Sequence, residues 1–199
     1  SIGEEAKKFA KYSHPIFFFF SDKIGADFIN FDRPKVKYND TKYINALKFE
    51  KYQVYDLLTE GKYDRVAFFD VDILIIAHAA NIFNSVPFED IGSIKKDRRQ
   101  IIKNVKNHLG YLEWDKDFLN SGVFVVSKIH KDIFKMIWKY GVWDDPIHKY
   151  EQTNTQWYIR KFCEEASDPD IKIIDLGYKW NFTGQMRVFY GPFRLEAYV

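Results

Sequence analysis

The 199-residue sequence contains one cysteine, Cys163, so it cannot form an internal disulfide. Its longest apolar runs, residues 16–20 and 73–80, are far shorter than the roughly 20 residues of a membrane-spanning helix. Basic and acidic side chains nearly balance, 30 against 28, and no dense Lys/Arg run occurs, which argues against a nucleic-acid binder. These features predict a protein without a transmembrane segment, in a reducing compartment such as the cytoplasm. Peripheral association with a membrane is left open.

Aromatic residues are abundant, at 19% of the chain, and most of them are expected in the core. A chain of 199 residues is long enough to build a full core as one domain. It contains no internal repeat, low-complexity tract or Pro/Gly/Ser-rich linker. We therefore predict a single domain over residues 1–199, and trimming at one or both ends is left open.

Hydrophobic patterns predict strands that alternate with helices. The predicted strands are residues 16–20, Arg65–Phe69, 90–94, Phe118–Ser127 and 171–174, with a short one around Val36. The predicted helices are residues 4–11, 41–59, 79–83, Lys131–Tyr140 and 150–164. Residues 95–117 are polar and are expected to leave the fold as an excursion. Buried strands alternating with helices imply an α/β fold whose sheet is covered on both faces.

The strand Arg65–Phe69 leads directly into two aspartates, Asp70 and Asp72. Burying a carboxylate is costly unless it is paired or binds a metal. Side chains alternate along a strand, so a continuing strand would place both carboxylates on one side. Such a pair at a strand end favours a Mg²⁺ or Mn²⁺ site shared with substrate phosphates. The alternative is a pair of solvated turn aspartates.

The pattern of two hydrophobic residues followed by Asp-x-Asp resembles motifs of two enzyme classes. Haloacid-dehalogenase phosphatases would use Asp70 as nucleophile, but they have a small Thr or Val where this chain has Leu74. In GT-A glycosyltransferases, the D-x-D pair holds a metal that bridges the diphosphate of a nucleotide sugar. The two classes are separated by the segments that follow.

Residues 118–126, F-L-N-S-G-V-F-V-V, resemble the F-N-S-G-V strand of glycosyltransferase family 8, which includes glycogenin and bacterial lipopolysaccharide galactosyltransferases. The amide of Asn120 offers a donor and an acceptor to sugar hydroxyls, and Gly122 lets a ligand approach the backbone. The alternative is a strand bulge with a buried, satisfied asparagine.

Three further segments resemble family 8. Residues 150–154, Y-E-Q-T-N, open a helix and are similar to the family's D-Q-D segment, with Glu and Thr in place of the two Asp residues; the alternative is a polar helix N-terminus. Residues 179–181, K-W-N, resemble a W-N pair after a late strand. Lys48 or Lys51, on the helix before the D-x-D strand, corresponds loosely to a basic residue that contacts the donor.

The resemblance implies a GT-A fold with a mixed, mostly parallel central sheet flanked by helices on both faces. It implies transfer of a sugar, expected from a UDP-hexose, to a hydroxyl of a glycan acceptor with retention of configuration. Mn²⁺ or Mg²⁺ would be bound by Asp70 and Asp72, and Glu151 and Gln152 would act in catalysis. The donor-binding residues would be Asp70, Asn120, Ser121, Gly122, Lys48, Lys51, Trp180 and Asn181. Family 6 is the second choice, although it has Gly-Gly where this chain has Asn-Ser-Gly.

The sequence departs from family 8 in two ways. That family's C-terminal H-x-x-G-x-x-K-P-W is missing, so the third metal ligand is open, and His78 is expected to be a packing residue. Gln152 occupies the place of a carboxylate nucleophile, so inversion with Glu151 or an acidic residue of 113–117 as general base is also open. The repeated spacing of Asp115 and Asp117 is interpreted as a solvated loop. A third alternative is a degenerate domain that binds a nucleotide sugar or glycan without turnover.

Overall fold

The computed structural model describes residues 2–36, 46–96, 118–142, 151–166 and 171–177. Its α-helices are α1 (Glu4–Ile24), α2 (Val54–Thr59), α3 (Lys131–Tyr140) and α4 (Glu151–Ala166). Its strands are β1 (Arg65–Phe69), β2 (Ile91–Lys96), β3 (Phe118–Ser127) and β4 (Ile173–Asp175). Short 3₁₀ helices are formed by Ala46–Gln53, Ile82–Ser85 and Lys128–His130.

The predicted bounds of β1, β3 and α3 are confirmed, and those of β2, β4 and α4 are confirmed with shifts of at most two residues. The helix predicted at residues 79–83 is a 3₁₀ helix displaced toward Ser85. Of the predicted excursion at 95–117, the first two residues belong to β2, and residues 97–117 lie outside the described part of the chain.

The strands form one mixed sheet in the order β1-β3-β2-β4. β3 runs antiparallel to β1 and β2, whereas β2 and β4 are parallel, so β1, β2 and β4 point the same way. The prediction of an α/β fold with a mixed sheet is confirmed, whereas the prediction that the sheet is mostly parallel is not: of the three strand pairs among the described residues, only β2 and β4 are parallel. Within the described residues β1 is an edge strand, and the pairing of Phe69 with Val123 sets its C-terminal end beside the middle of β3.

One face of the sheet is covered by α2, α3 and α4. Phe124 of β3 is 3% exposed and stacks on Phe68 of β1, with 4.9 Å between ring centroids. Its ring also lies 5.6 Å from that of Phe134 on α3. Tyr52 and Tyr158 are fully buried in the same layer. Each such side chain contributes about 1.5–3 kcal/mol when buried, so this aromatic cluster is a main source of stability.

The opposite face is covered by α1 and by the chain between β1 and β2. Phe17 and Phe20 of α1 pack against Phe69, with ring centroids 5.6 and 6.3 Å apart. Side chains alternate along β3, so Val123 faces this layer while Phe124 faces the other. Helices therefore cover both faces of the sheet, as predicted.

The prediction of a buried strand at residues 16–20 is wrong, because these residues belong to α1. Phe17 and Phe20 are buried, whereas Phe18 and Phe19 are 65% and 59% exposed. Burial of residues three apart is the spacing of one helix face, whereas a strand buried on both faces would have enclosed all four rings.

α1 is also longer than the helix predicted at residues 4–11, since it continues through Pro15 to Ile24. Gly25 follows with a φ of 68°, the left-handed conformation that glycine adopts without strain. Its N–H donates to the carbonyl of Asp22 at 3.1 Å, and this closes the last turn.

The helix predicted at residues 41–59 is found in part. Residues 41–45 lie outside the described residues, Ala46–Gln53 forms a 3₁₀ helix, and only α2 is α-helical. In a 3₁₀ helix, residues three apart lie on the same side, and Glu50 and Gln53 both bind the chain before the helix.

The short strand predicted around Val36 is absent as far as Val36 itself, and the residues that follow, 37–45, lie outside the described residues. Contacts of Glu50 explain why no strand forms before Val36. One carboxylate oxygen of Glu50 accepts the backbone N–H groups of Lys35 and Val36, at 2.8 and 3.2 Å. The side chain of Gln53 donates to the same oxygen and to the carbonyl of Arg33, at 2.7 and 2.9 Å. Side chains therefore satisfy backbone groups that a sheet would otherwise pair.

Candidate functional site

The predicted metal ligands lie in a turn directly beyond the end of β1. The strand ends at Phe69, and the N–H of Ile73 donates to the carbonyl of Asp70 at 3.1 Å. The expectation that a strand continues through Asp70 and Asp72 is therefore wrong, and the aspartates lie in a turn, which is the alternative that the sequence left open. The chain turns there because Ile73 folds back to be buried under the second face of the sheet. The Asp70 side chain is 43% exposed, and Asp72 is exposed.

The Asn120–Gly122 segment of β3 lies beside this turn. The N–H of Asp70 donates to the carbonyl of Gly122 at 2.7 Å, which extends the β1–β3 ladder by one bond. On the other side of β3, Ser93 pairs with Phe124 while the next β2 residue pairs with Asn120, so β3 carries a bulge between them. The sequence thus brings two of its predicted motifs together at one end of the sheet.

Asn120 and Ser121 are buried, at 3% and 1% exposure. The side-chain oxygen of Asn120 accepts the N–H of Gly122 at 3.0 Å, and the hydroxyl of Ser93 donates to the carbonyl of Asn120 at 2.9 Å. The side chain and the carbonyl of Asn120 therefore serve to shape the bulge. A donor-binding role for Asn120, Ser121 and Gly122 remains a prediction.

Lys51 connects the two motifs from the 3₁₀ helix Ala46–Gln53. Its ammonium donates to the carbonyl of Ser121 at 3.0 Å and lies 3.5 Å from a carboxylate oxygen of Asp70. It also lies 5.2 Å from the centre of the Phe68 ring. The side chain is only 6% exposed, which is unusual for lysine unless it is paired. Lys48, on the same helix, is exposed.

Sequence reasoning did not identify Ser93 and Gln156 as supports of this region. The side-chain oxygen of Gln156, on α4, accepts the N–H of Leu119 at 3.2 Å, next to the bulge. Both side chains bind backbone groups at an irregularity in β3, and no short motif marks such contacts. The only available signal is the unusually polar stretch 153–156 within a helix that packs on the sheet.

The remaining predicted site residues are placed in part or not at all. Glu151 and Gln152 begin α4, and the structure describes their backbone only. Trp180 and Asn181 lie outside the described residues, as do Asp115 and Asp117. His78 is exposed in the chain between β1 and β2.

A cavity of about 1140 Å³ runs along the outer edge of β1. All five residues of β1 line it, together with residues 27–31 and parts of α1. At the aspartate end it is lined by Asp70, Asp72, Lys48 and Lys51. Ordinary small-molecule pockets have roughly 300–1,000 Å³, so this volume admits a ligand as large as a nucleotide sugar.

The turn offers two carboxylates as metal ligands, which suit a hard divalent cation but are few in number. Carboxylate oxygens are the ligands that Mg²⁺ prefers, and Asp70 and Asp72 supply them at a half-exposed position. Among the described residues, no group of three or more His, Cys, Asp or Glu side chains is arranged to hold a metal. Phosphate oxygens and water commonly complete a Mg²⁺ shell.

No protein-family model matches the chain, and the searches of curated proteins and of solved structures also gave no match. Within the part of the chain that the structure describes, no helix combines the length and apolar character needed to cross a bilayer.

Proposed function

We propose that the protein is a metal-dependent glycosyltransferase of the GT-A type that transfers a hexose from a UDP-sugar to a hydroxyl of a glycan. The observation that carries this proposal is the meeting of three predicted elements at one cavity. Asp70 and Lys51 line a cavity of about 1140 Å³, and the Asn120–Gly122 bulge, from a distant part of the sequence, contacts both of them from behind through its backbone carbonyls.

In this proposal each element has a separate task. Asp70 and Asp72 hold Mn²⁺ or Mg²⁺, which neutralises charge developing on the departing diphosphate. Lys48, exposed on the cavity wall, binds a phosphate. The bulge of β3 fixes the backbone behind Asp70, and Glu151 and Gln152 at the start of α4 orient the donor sugar. Trp180 and Asn181 complete the donor site, and the family resemblance favours retention.

A thermal-shift screen of nucleotide sugars with and without Mn²⁺ tests the class of ligand. A ligand present at 100 times its Kd stabilises the folded state by about 2.7 kcal/mol. For a chain of this length that corresponds to a rise in Tm of roughly 5–10 °C. We expect this rise with UDP-sugars in Mn²⁺ and a much smaller one without it.

Asp72→Asn tests the metal site directly. This variant should remove the Mn²⁺-dependent part of the shift and lower the transfer rate by roughly 100-fold or more, since it removes a preorganised charge. Its Tm without ligand should change little, because Asp72 is exposed. Asp64→Asn is the matched control, because Asp64 is an exposed aspartate before the other end of β1.

The alternatives give different outcomes in the same assays. Unchanged turnover in Asp72→Asn would overturn the metal site. Release of phosphate from an aryl phosphate, lost in Asp70→Asn, would support the phosphatase. UDP-dependent stabilisation without donor hydrolysis or transfer would indicate a binding domain. If transfer is observed, NMR of the product anomer decides between retention and inversion.

A further inference from the structure

The edge of β1 that faces away from β3 has no partner strand among the described residues. The N–H of Asp70 donates to the carbonyl of Gly122, and hydrogen-bonded residues alternate with non-bonded ones along an antiparallel ladder. The even-numbered residues of this stretch therefore bond to β3. The backbone N–H and C=O groups of Arg65, Ala67 and Phe69 point the other way, so they are free to pair with a further strand.

The cavity of about 1140 Å³ follows this unpaired edge, and all five residues of β1 line it. Phe17 and Phe28 belong to the apolar layer on the α1 side of the sheet, Val54 and Phe31 belong to the opposite layer, and all four line the cavity. Residues 27–31 therefore cross from one layer to the other past the edge of β1 and form the outer wall. An occupant would meet backbone groups along one edge and apolar side chains on both faces.

An extended polypeptide matches both features of this cavity. A lipid chain or an aromatic ring would cover the apolar side chains but leave the backbone groups of β1 without partners, and such groups are costly to bury unpaired. A β-strand pairs with them through its own backbone, as in other cases of strand addition to a sheet edge. Pairing along the five residues of β1 needs a strand of about five residues, roughly 17 Å long. Because both faces of this strand would be covered, it should be apolar at every position.

The described part of the chain does not supply this strand. Residues 27–31, which run past the edge, are fixed at both ends: the hydroxyl of Tyr63 donates to a carboxylate oxygen of Asp27 at 2.6 Å, and the side chain of Gln53 donates to the carbonyl of Arg33 at 2.9 Å. A second copy of the protein cannot supply it through its own β1, because residues 27–31 form the same wall there. The occupant is therefore expected to belong to another polypeptide.

We propose that this cavity binds an extended apolar segment of a partner polypeptide, which pairs with β1 as an additional strand of the sheet. The backbone groups of β1 would supply affinity, and the apolar walls would select a segment without charged side chains. The proposal goes beyond the proposed function and does not depend on it. The aspartates after β1 lie at one end of the cavity, whereas the added strand would pair along its length.

The test uses a fluorescein-labelled peptide, Lys-Lys-Val-Ile-Val-Ile-Val-Lys-Lys, whose binding is followed by fluorescence anisotropy. We expect saturable binding of one peptide per protein. The same peptide with N-methyl groups at every Val and Ile presents the same apolar side chains without backbone donors, and it should bind at least about 10-fold more weakly. Equal affinity for the two peptides, or no binding of either, would overturn the proposal.

Ala67→Pro removes one outward-facing N–H of β1 and leaves the bonds to β3 in place. Proline is tolerated at edge positions whose N–H is not part of the ladder, so this variant should keep the fold. Its affinity for the peptide should fall by about 10-fold or more, because a hydrogen bond is lost and the proline ring blocks the edge. Ala67→Ser keeps the N–H and is the matched control, with the affinity retained. If Ala67→Pro does not fold, the N-methylated peptide tests the same hydrogen bonds in the unaltered protein.

Amide hydrogen exchange measured by NMR distinguishes strand pairing from apolar binding alone. In the free protein the amides of Val66 and Phe68 should exchange slowly and those of Ala67 and Phe69 quickly, and the peptide should slow the second pair by about 10-fold or more. Binding without this protection would overturn the proposal. Slow exchange at Ala67 in the free protein would also overturn it, because the edge would then already be covered, by a second copy if the exchange depends on protein concentration and by the same chain if it does not.

Discussion

The β1–β3 pair has polar side chains at both ends, and the two ends use them differently. At one end the ammonium of Lys51 lies 3.5 Å from the half-exposed carboxylate of Asp70, beside a cavity. At the other end, Arg65 also borders the cavity, but its two terminal nitrogens donate to the carbonyls of Phe83 and Val86, at 2.9 and 2.8 Å. At this second end, the charged group of Arg65 stabilises the fold rather than facing a ligand site.

His130 reinforces this structural end. Its side chain is fully buried, Nδ1 accepts the N–H of Ser127 at 3.1 Å, and Nε2 lies 3.1 Å from the carbonyl of Glu89. Because Nδ1 accepts, Nε2 must carry the proton that is donated to Glu89. Both ring nitrogens are thus used within the protein.

A charged side chain that is partly or fully buried does not by itself mark a binding site. The guanidinium of Arg65 donates hydrogen bonds to the backbone carbonyls of Phe83 and Val86, and these bonds fix the chain between β1 and β2. Lys51 forms an ion pair with Asp70, and Asp70 also lines the cavity. Changes at the Arg65 end should therefore lower stability, whereas changes at the Asp70 end should alter ligand binding.

The largest stability effect is expected for Arg65→Met. Hydrogen bonds to charged groups contribute about 1.5–3 kcal/mol each, and the variant leaves two carbonyls without their donor. We expect the free energy of unfolding to fall by about 3 kcal/mol in urea denaturation, with the UDP and Mn²⁺ shift retained. Arg65→Lys, which keeps the charge but not the fork geometry, should lose less. A loss of the Mn²⁺-dependent shift in folded Arg65→Met would contradict the comparison.

The second effect is a pH dependence that originates at His130. Burial lowers the pKa of His130; the nearby Arg65 lowers it further, whereas the Glu89 carbonyl and Asp90 raise it in part. The unfolded chain therefore binds a proton more readily than the folded one as pH falls below about 6.5. Stability should decrease toward acid pH, by no more than about 1.4 kcal/mol per pH unit for this one group.

His130→Gln is the variant that isolates this effect. The pKa of His14 is also lowered by burial, so part of the acid slope will remain without His130. Urea denaturation between pH 5 and pH 8 should therefore give a shallower slope for His130→Gln than for the unaltered protein. Identical slopes would show that His130 titrates normally in the folded state.

The smallest effect is expected for Asp64→Asn, just before β1. Its carboxylate pairs with Lys128 at 2.7 Å, but both side chains are more than half exposed. Exposed pairs contribute well under about 1 kcal/mol, and salt screens them. The stability difference from the unaltered protein should disappear in high salt. A large, salt-independent loss would mean that the pair has a structural role like that of Arg65.

The sequence predicts the regular elements where local signals are strong. β1, β3 and α3 are found at their predicted bounds, because apolar runs or helical periodicity end there at polar or turn residues. Residues 16–20 were ambiguous, since a short apolar run suits a buried strand or a helix equally well. Whether residues 16–20 form a strand or a helix depends on which of their phenylalanine rings pack against the sheet, and this packing is a property of the tertiary structure.

The charged residues of the candidate site can be predicted from the sequence, whereas the residues that hold the backbone of the site in place cannot. Asp70 stands out in the sequence because it directly follows a buried strand, and Lys51 is one of two lysines that the family resemblance indicates. The turn at Asp70 is only the alternative in the sequence analysis, because Ile73 and the apolar residues after it suggest a continuing strand until their packing is known. Ser93 and Gln156 bind the backbone of a bulge, and bulges depend on register rather than on local composition.

The contact between Lys51 and Ser121 joins residues that are 70 positions apart in the chain. Contacts of such separation form slowly, because the entropy of closing the loop must be overcome before they contribute any stability. The candidate site therefore cannot exist in a partly folded intermediate that lacks the β1–β3 pair. During refolding, the ability to bind a ligand should return only with the final kinetic phase, after the helices have formed.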